Sequence, residues 1–160
     1  MQDAAVIEVE DFGAGSAVIK KNTRVVKAVA ASSLKQKKYA QLLYRVAKYY
    51  RAKYIVELGT SFGITTAYLA SADPEVVVYT LEGAVAIAAI SKDNFNQLHL
   101  KHIKLLEGNF TETFPIVISA LEQVDLVFID GHHLKLPTLD YFSRLLKRSI
   151  SSTIIIFDDI

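Results

Sequence analysis

The sequence predicts a doubly wound α/β fold, with a mostly parallel sheet and helices on both of its faces. From residue 53 onward, short apolar segments alternate with longer segments of helical pattern. Most of the short segments are rich in β-branched residues and are apolar at successive positions, as in strands that are covered on both sides. Regular alternation of strands and helices is typical of a parallel sheet. A chain of 160 residues, 51% of them hydrophobic, is large enough for one such domain.

An N-terminal region, residues 1–52, is expected to precede this domain as a loop and helical extension. Residues 34–52 predict an amphipathic helix, whereas the glycine-containing stretch DFGAGS at 11–16 predicts a loop. Residues 22–32 are interpreted as a short helix. The apolar side of the longer helix contains Tyr39, Leu42, Leu43, Val46 and Tyr50.

Five strands and four helices are predicted in residues 53–160. The strands are YIVEL (54–58), VVVYTLE (76–82), IKLLE (103–107), DLVFID (125–130) and TIIIFDD (153–159). The helices are expected at 63–72, 85–98, 111–122 and 137–148. Thr111 is the residue type that caps a helix N-terminus, and Pro137 suits a first helical turn.

Composition excludes several classes of protein. The chain has no cysteine, so disulfides and thiolate metal sites are excluded. No apolar run approaches the roughly 18 residues of a membrane span, and the acidic N-terminus does not resemble a signal peptide. We therefore expect a cytoplasmic protein that does not bind membranes.

Charge is unevenly distributed along the chain. Residues 1–53 carry eleven basic and four acidic side chains, whereas residues 54–160 carry seven and thirteen. A basic segment can bind nucleic acid, but neither aromatic platforms nor a nucleic-acid motif accompany it here. We interpret it as the solvated face of a helix and expect no nucleic-acid partner.

The stretch VELGTSFGITT, which begins at residue 56, is open to several interpretations. GTSFG fits the G-x-S-x-G turn of hydrolases, with Ser61 as nucleophile. That class of enzyme needs an acid and then a histidine on separate later loops. His132 and His133 follow Asp130 too closely, and Asp158 has no histidine after it. A serine hydrolase is therefore disfavoured.

Two nucleotide-binding motifs are also absent from this stretch. A P-loop needs Gly-Lys-Ser/Thr after its glycines, and the dinucleotide fingerprint needs G-x-G-x-x-G. Here Gly59 and Gly63 stand four residues apart. We predict a loop in which these glycines let the backbone approach a ligand closely.

Carboxylates lie at the ends of the predicted strands. Glu82, Asp130, Asp158 and Asp159 each close a strand, and Glu57 is near the end of the first one. Because ligands bind beyond the carboxyl ends of open parallel sheets, we expect these acids on one rim. Glu82 can accept hydrogen bonds from two ribose hydroxyls.

These motifs, taken in order, resemble the Rossmann-like class I S-adenosylmethionine (SAM)-dependent methyltransferases. VELGTSFGITT, YTLEG, LLEGNF, VDLVFIDGHH and IIIFDD look like five successive motifs of that family, over about two-thirds of the chain. The resemblance implies SAM as cofactor. The cofactor-binding positions that it implies are Glu57, Gly59, Thr60, Ser61, Gly63, Thr65, Glu82, Gly83, Asn109, Phe110 and Asp130.

The IDGHH and FDD segments are similar to the catechol-type branch of small-molecule O-methyltransferases. The resemblance implies a divalent cation, such as Mg²⁺, held by Asp130, Asp158 and Asp159. It also implies that Asp130 and His133 are catalytic. His133 occupies the place where relatives often have a basic lysine, and an imidazole can act as a base near neutral pH.

The resemblance implies O-methylation of a small molecule by an enzyme that can be a homodimer. A non-catalytic SAM-binding or assembly module with the same fold is the alternative. The family continues with further strands beyond the fifth, so we expect this sequence to be a truncated piece of a longer protein. Otherwise a partner chain would have to cover the apolar fifth strand.

Overall fold

A computed structural model describes residues 6–11, 20–25, 36–131 and 134–158. In the N-terminal region, β1 (Val6–Asp11) and β2 (Lys20–Val25) form an antiparallel pair. The short helix expected at 22–32 is therefore wrong over residues 22–25, which pair with Val6–Val9 in register. The loop expected at 11–16 lies mostly outside the described residues.

The second region is the predicted parallel α/β sheet. Its strands are β3 (Tyr54–Leu58), β4 (Val77–Glu82), β5 (Ile103–Glu107), β6 (Val124–Ile129) and β7 (Ser149–Phe157). The spatial order is β5-β4-β3-β6-β7, and every neighbouring pair is parallel. The chain runs outward from β3 through β4 to β5, and then continues on the other side of β3 with β6 and β7.

Five helices accompany the sheet in the described residues. They are α1 (Lys37–Tyr49), α2 (Ile64–Ala70), α3 (Val85–Gln97), α4 (Phe110–Ala120) and α5 (Lys135–Leu146). Among these helices, none is long and apolar enough to span a membrane. Pro137 lies in the first turn of α5, as expected.

Apolar side chains cover both faces of the sheet. On one face, Phe114 of α4 and Leu145 of α5 pack against Val56 and its neighbours. On the other face, Leu43 of α1 and Leu69 of α2 pack with Ile55. Successive residues of a strand point to opposite faces, which is why Ile55 and Val56 belong to different clusters. The predicted fold class is confirmed.

The sheet brings its carboxyl-terminal ends to one rim. Leu58 is level with Leu81 on β4 and with Ile129 on β6, and Glu82 is level with Glu107 on β5. Because β4 and β6 leave β3 in opposite directions, the crevice between β3 and β6 is the topological switch point of the sheet. A ligand site is therefore expected in the loops that follow these strands.

Candidate functional site

The loop that follows β3, residues 59–63, is fixed by hydrogen bonds from several elements. The carbonyl oxygen of Leu81 accepts from the N–H groups of Gly59 at 3.0 Å and Thr60 at 3.1 Å. The side-chain amide of Asn94, on α3, donates to the carbonyl of Phe62 at 2.9 Å. The loop is consequently attached to β4 on one side and to α3 on the other.

Glu82, the last residue of β4, faces this loop. Its Oε2 accepts a 2.8 Å hydrogen bond from the N–H of Ser61, and its Oε1 accepts a 2.9 Å bond from the N–H of Ala84. Burial raises the pKa of Glu82, and the backbone N–H groups of Ala84, Ser61 and Gly83 oppose that rise. The predicted meeting of the Glu82 carboxylate with the glycine loop is present in the structure.

Ser61 has two unusual features. Its φ of +49° lies in the left-handed region, which a non-glycine residue seldom adopts. Its hydroxyl oxygen is buried and has no hydrogen-bond partner within the described part of the chain. Buried polar atoms without partners are uncommon and often mark a functional position. Both features suit a residue that presents polar groups to a ligand.

The two glycines of the loop are required by the packing of the protein itself. A Cβ on Gly59 would lie 2.3 Å from the carbonyl oxygen of Asp130, and one on Gly63 would lie 2.4 Å from the ring of Phe95. Both residues also have positive φ, +102° and +77°. Glycine is therefore required because the end of β6 approaches position 59 closely and α3 approaches position 63 closely. Contact of Gly59 and Gly63 with a ligand stays a prediction.

Glu57 lies beneath the loop and is fully buried. Its Oε2 accepts a 2.6 Å hydrogen bond from the hydroxyl of Thr80 and a second from that of Thr66. The hydroxyl oxygens of Thr80 and Thr60 are 2.6 Å apart. Burial is the main cause that raises the pKa of Glu57 to about 8; the two threonine hydroxyls lower it, and Asp130 and Glu82 add a smaller rise.

The segment after β5 returns to the same rim. The N–H of Gly108 donates to the carbonyl of Glu82 at 2.9 Å. Asn109 caps α4, because its Oδ1 accepts from the N–H of Thr111 at 3.0 Å. The prediction that Thr111 is the cap was wrong, since the cap lies two residues earlier and the helix begins at Phe110. The side chain of Phe110 is buried and would approach a Cβ on Gly131 at 3.1 Å.

Asp130 and Asp158 follow adjacent strands at this rim. The N–H of Asp130 donates to the carbonyl of Leu58, at 2.8 Å, and that of Asp158 donates to the carbonyl of Ile129, at 2.9 Å. Within the described ranges, the structure has no group of three or more His, Cys, Asp or Glu side chains that could hold a metal ion. Asp159 and His133 lie outside the described residues, so the predicted metal set and the predicted base stay predictions.

Some residues of this site were missed in the sequence. Thr80 and the N–H of Ala84 each hold a predicted residue in place, and Asn94 holds Phe62 within the predicted loop, but none of the three stands out by composition or spacing. One usable signal exists for Thr80. A buried strand carboxyl such as Glu57 needs donors, and hydroxyl side chains on a neighbouring strand can supply them. Thr65, which was predicted at the cofactor site, is buried in the first turn of α2.

Comparison with known proteins agrees with this geometry. A family model described as a methyltransferase domain matches residues 56–160. The catechol O-methyltransferase of Niastella koreensis is 32% identical over 128 residues, which are 78% of this chain and 56% of that protein. The chain thus spans a little over half the length of this curated relative.

Solved structures share the fold. The O-methyltransferase from Bacillus cereus in complex with S-adenosylhomocysteine (SAH) superposes with a TM-score of 0.75 at 26% identity, over 84% of this chain and 63% of that one. The O-methyltransferase TomG from Streptomyces achromogenes, in complex with SAM, has a TM-score of 0.73 at 20% identity, over 84% of this chain and 64% of that one. At that identity the second match supports the fold alone. With the family model matching residues 56–160, the chain belongs to the methyltransferase-domain family.

Proposed function

We propose that this protein transfers a methyl group from SAM to an oxygen of a small molecule. The observation that carries the proposal is the meeting of Glu82 and Ser61 at the carboxyl-terminal rim of a parallel sheet, beside its switch point. A half-buried carboxylate and a strained, hydroxyl-bearing loop there suit a ligand with a sugar and a polar amino-acid part. The O-methyltransferase from Bacillus cereus, which is 26% identical and is in complex with SAH, supports the same assignment.

The residues at the rim fit such a cofactor. Glu82 already accepts two backbone N–H groups, and each carboxylate oxygen has further lone pairs for ribose hydroxyls. The buried hydroxyl of Ser61 could hydrogen-bond the cofactor carboxylate. Gly83, Asn109 and Phe110 belong to the segments beside Glu82 and would border the nucleoside. When bound, SAM supplies an electrophilic methyl group, and that chemistry is its own.

The chain's part in the reaction is to orient the acceptor and to remove its proton. We assign proton removal to His133, assisted by Asp130 at the end of β6. Alignment of two bound reactants is itself a large share of catalysis in transfers of this kind. We further propose a cytoplasmic enzyme that acts on a small molecule, binds no nucleic acid and can form a homodimer.

A divalent cation is a separate part of the proposal. Asp130 and Asp158 follow neighbouring strands, and carboxylate oxygens are the ligands that Mg²⁺ prefers. With Asp159 as a third ligand, such an ion would bind the acceptor oxygen. Titration of the metal-free protein with Mg²⁺ by calorimetry tests this, with D158N as the variant. Absence of Mg²⁺ binding to the wild-type chain would remove the ion from the proposal.

Calorimetry with SAM and with its demethylated product S-adenosylhomocysteine (SAH) tests the main proposal. We expect the wild-type chain to bind both. E82Q should bind at least about tenfold more weakly, because a hydrogen bond to a charged group contributes about 1.5–3 kcal/mol. E107Q is the matched control, since Glu107 stands level with Glu82 on the neighbouring strand but is ion-paired with Lys92.

E107Q should bind SAM and SAH within about threefold of wild type, because the carboxylate of Glu107 is not bonded to the loop. Equal losses in the two variants, or no binding by the wild-type chain, would reject the proposed role of Glu82. Binding of SAM without methyl transfer would favour the alternative, a SAM-binding module that does not catalyse.

A further inference from the structure

We propose that Glu57 is a positioning residue that holds the ligand-binding loop, residues 59–63, through the hydroxyls of Thr80 and Thr60. The inference rests on the proposed function, because the loop is taken to be part of the SAM site. It also gives Glu57 a different role from the direct cofactor contact that the sequence suggests. The carboxyl would act on the cofactor only through the loop.

The direction of each hydrogen bond follows when Oε2 of Glu57 is the acceptor, as in the ionised carboxylate or in the acid protonated on Oε1. The hydroxyl of Thr80 donates to Oε2 of Glu57 at 2.6 Å, so its proton is committed to the carboxyl. The 2.6 Å contact between Thr80 and Thr60 then requires the hydroxyl of Thr60 to be the donor. The result is an ordered chain of donors from Thr60 to Thr80 to Glu57.

The first donor of this series, Thr60, belongs to the loop that the ligand would contact. Thr60 is buried, and its backbone N–H is also bonded to the carbonyl of Leu81. Thr60 is thus held at two points, and the next residue is Ser61, with its positive φ. Loss of the side-chain attachment would leave Ser61 free to relax from the left-handed region, which carries strain for a residue with a Cβ.

A second donor to Glu57 provides an internal control. The hydroxyl of Thr66, in the first turn of α2, also donates to Oε2 but is not bonded to the loop. Thr66 and Thr80 are both fully buried. Removal of either hydroxyl should therefore disturb the Glu57 carboxyl, whereas only removal at Thr80 breaks the connection to Thr60.

The experiment compares SAH affinity with thermal stability in T60V, T80V and T66V, because valine keeps the shape and removes the hydroxyl. We expect SAH binding to weaken about tenfold in T60V and T80V, and less than threefold in T66V, although Tm falls in T80V and T66V alike. T60V/T80V should bind no more weakly than either single variant, since both changes interrupt the same connection.

The Glu57 side chain is tested by E57Q and E57L. The glutamine carbonyl can accept from Thr80 and Thr66, so E57Q should bind SAH within about threefold of wild type. E57L, which cannot accept, should lose about tenfold or more. The inference would be overturned if SAH affinity fell equally in T66V and T80V, or if T60V and T80V kept wild-type affinity. Neither result would affect the proposed function as long as the wild-type chain binds SAH. Failure of the wild-type chain to bind SAH would instead refute the proposed function.

Discussion

Gly59 lies so close to Asp130 that a Cβ at position 59 would be 2.3 Å from the carbonyl oxygen of Asp130. The φ of Gly59, +102°, is also unfavourable for any other residue. The turn at the end of β3 and the end of β6 are therefore fitted to each other at the switch point.

G59A should consequently destabilise the protein by at least about 3 kcal/mol in chemical denaturation, from the clash together with the strain. G108A is the control. Gly108 has a φ of +120°, but its nearest obstacle, a methyl group of Thr113, would be 3.7 Å away. Because only strain remains, G108A should cost about 1–2 kcal/mol. Equal losses in the two variants would contradict the account of the Gly59 contact.

Ser61 should reverse the usual order of alanine and glycine. At a positive φ, alanine is strained and glycine is not, so S61G should be more stable than S61A by about 1 kcal/mol. Both variants lose the hydroxyl, and both should bind SAH more weakly than wild type. Denaturation curves and calorimetry on the same samples measure the two effects.

Ser71 provides the matched comparison. It ends α2 with a φ of −80°, which alanine adopts easily, and its hydroxyl bonds to the carbonyl of Ala67. There S71A should be at least as stable as S71G, because glycine has more freedom to lose on folding. An S61A variant as stable as S61G would show that position 61 is not held in the left-handed region in solution.

Glu57 should make the stability of the protein depend on pH. Its pKa is raised from 4.5 to about 8 by burial, so between these values the folded state holds a proton that the unfolded chain has released. The stabilising contribution is complete below about pH 4.5 and is lost as the pH rises to about 8. Burial raises the pKa of Glu82 as well, and its contribution has the same sign.

E57Q cannot ionise at this position, which isolates the contribution of Glu57. The free energy of unfolding of E57Q minus that of wild type should increase with pH between 5 and 8, by roughly 1 kcal/mol per pH unit. The effect of Glu82 cancels in this difference. Urea denaturation at pH 5, 6, 7 and 8 measures it, and a difference that does not change with pH would show that Glu57 is ionised in the folded protein.

Much of the fold could be predicted because buried parallel strands leave a strong pattern. YIVEL and IKLLE are strands over the predicted residues, Tyr54–Leu58 and Ile103–Glu107. The strand KKNTRV at Lys20–Val25 was missed because it is polar and has no apolar alternation. The start of α4 was misplaced by one residue, since Asn109 and Thr111 are both capping residue types.

The site could be predicted only where an acidic residue stands at the end of a predicted strand. Glu82 met that condition, and its carboxylate faces the loop. The relation of Glu57 to Thr80 depends on the register of two parallel strands, which a single sequence does not specify. The close approach of the Asp130 carbonyl to Gly59 is likewise a tertiary contact that a single sequence does not specify. The roles of His133 and Asp159 stay predictions.

The central claim is that the nucleoside of SAM binds above the loop at 59–63, with its ribose held by Glu82. A crystal structure of the wild-type chain with SAH tests it most directly. We predict the ribose hydroxyls within about 3 Å of the Glu82 carboxylate oxygens and a carboxylate of SAH near the hydroxyl of Ser61. SAH bound elsewhere on the chain, or a Glu82 carboxylate turned away from the loop and from the sugar, would contradict it.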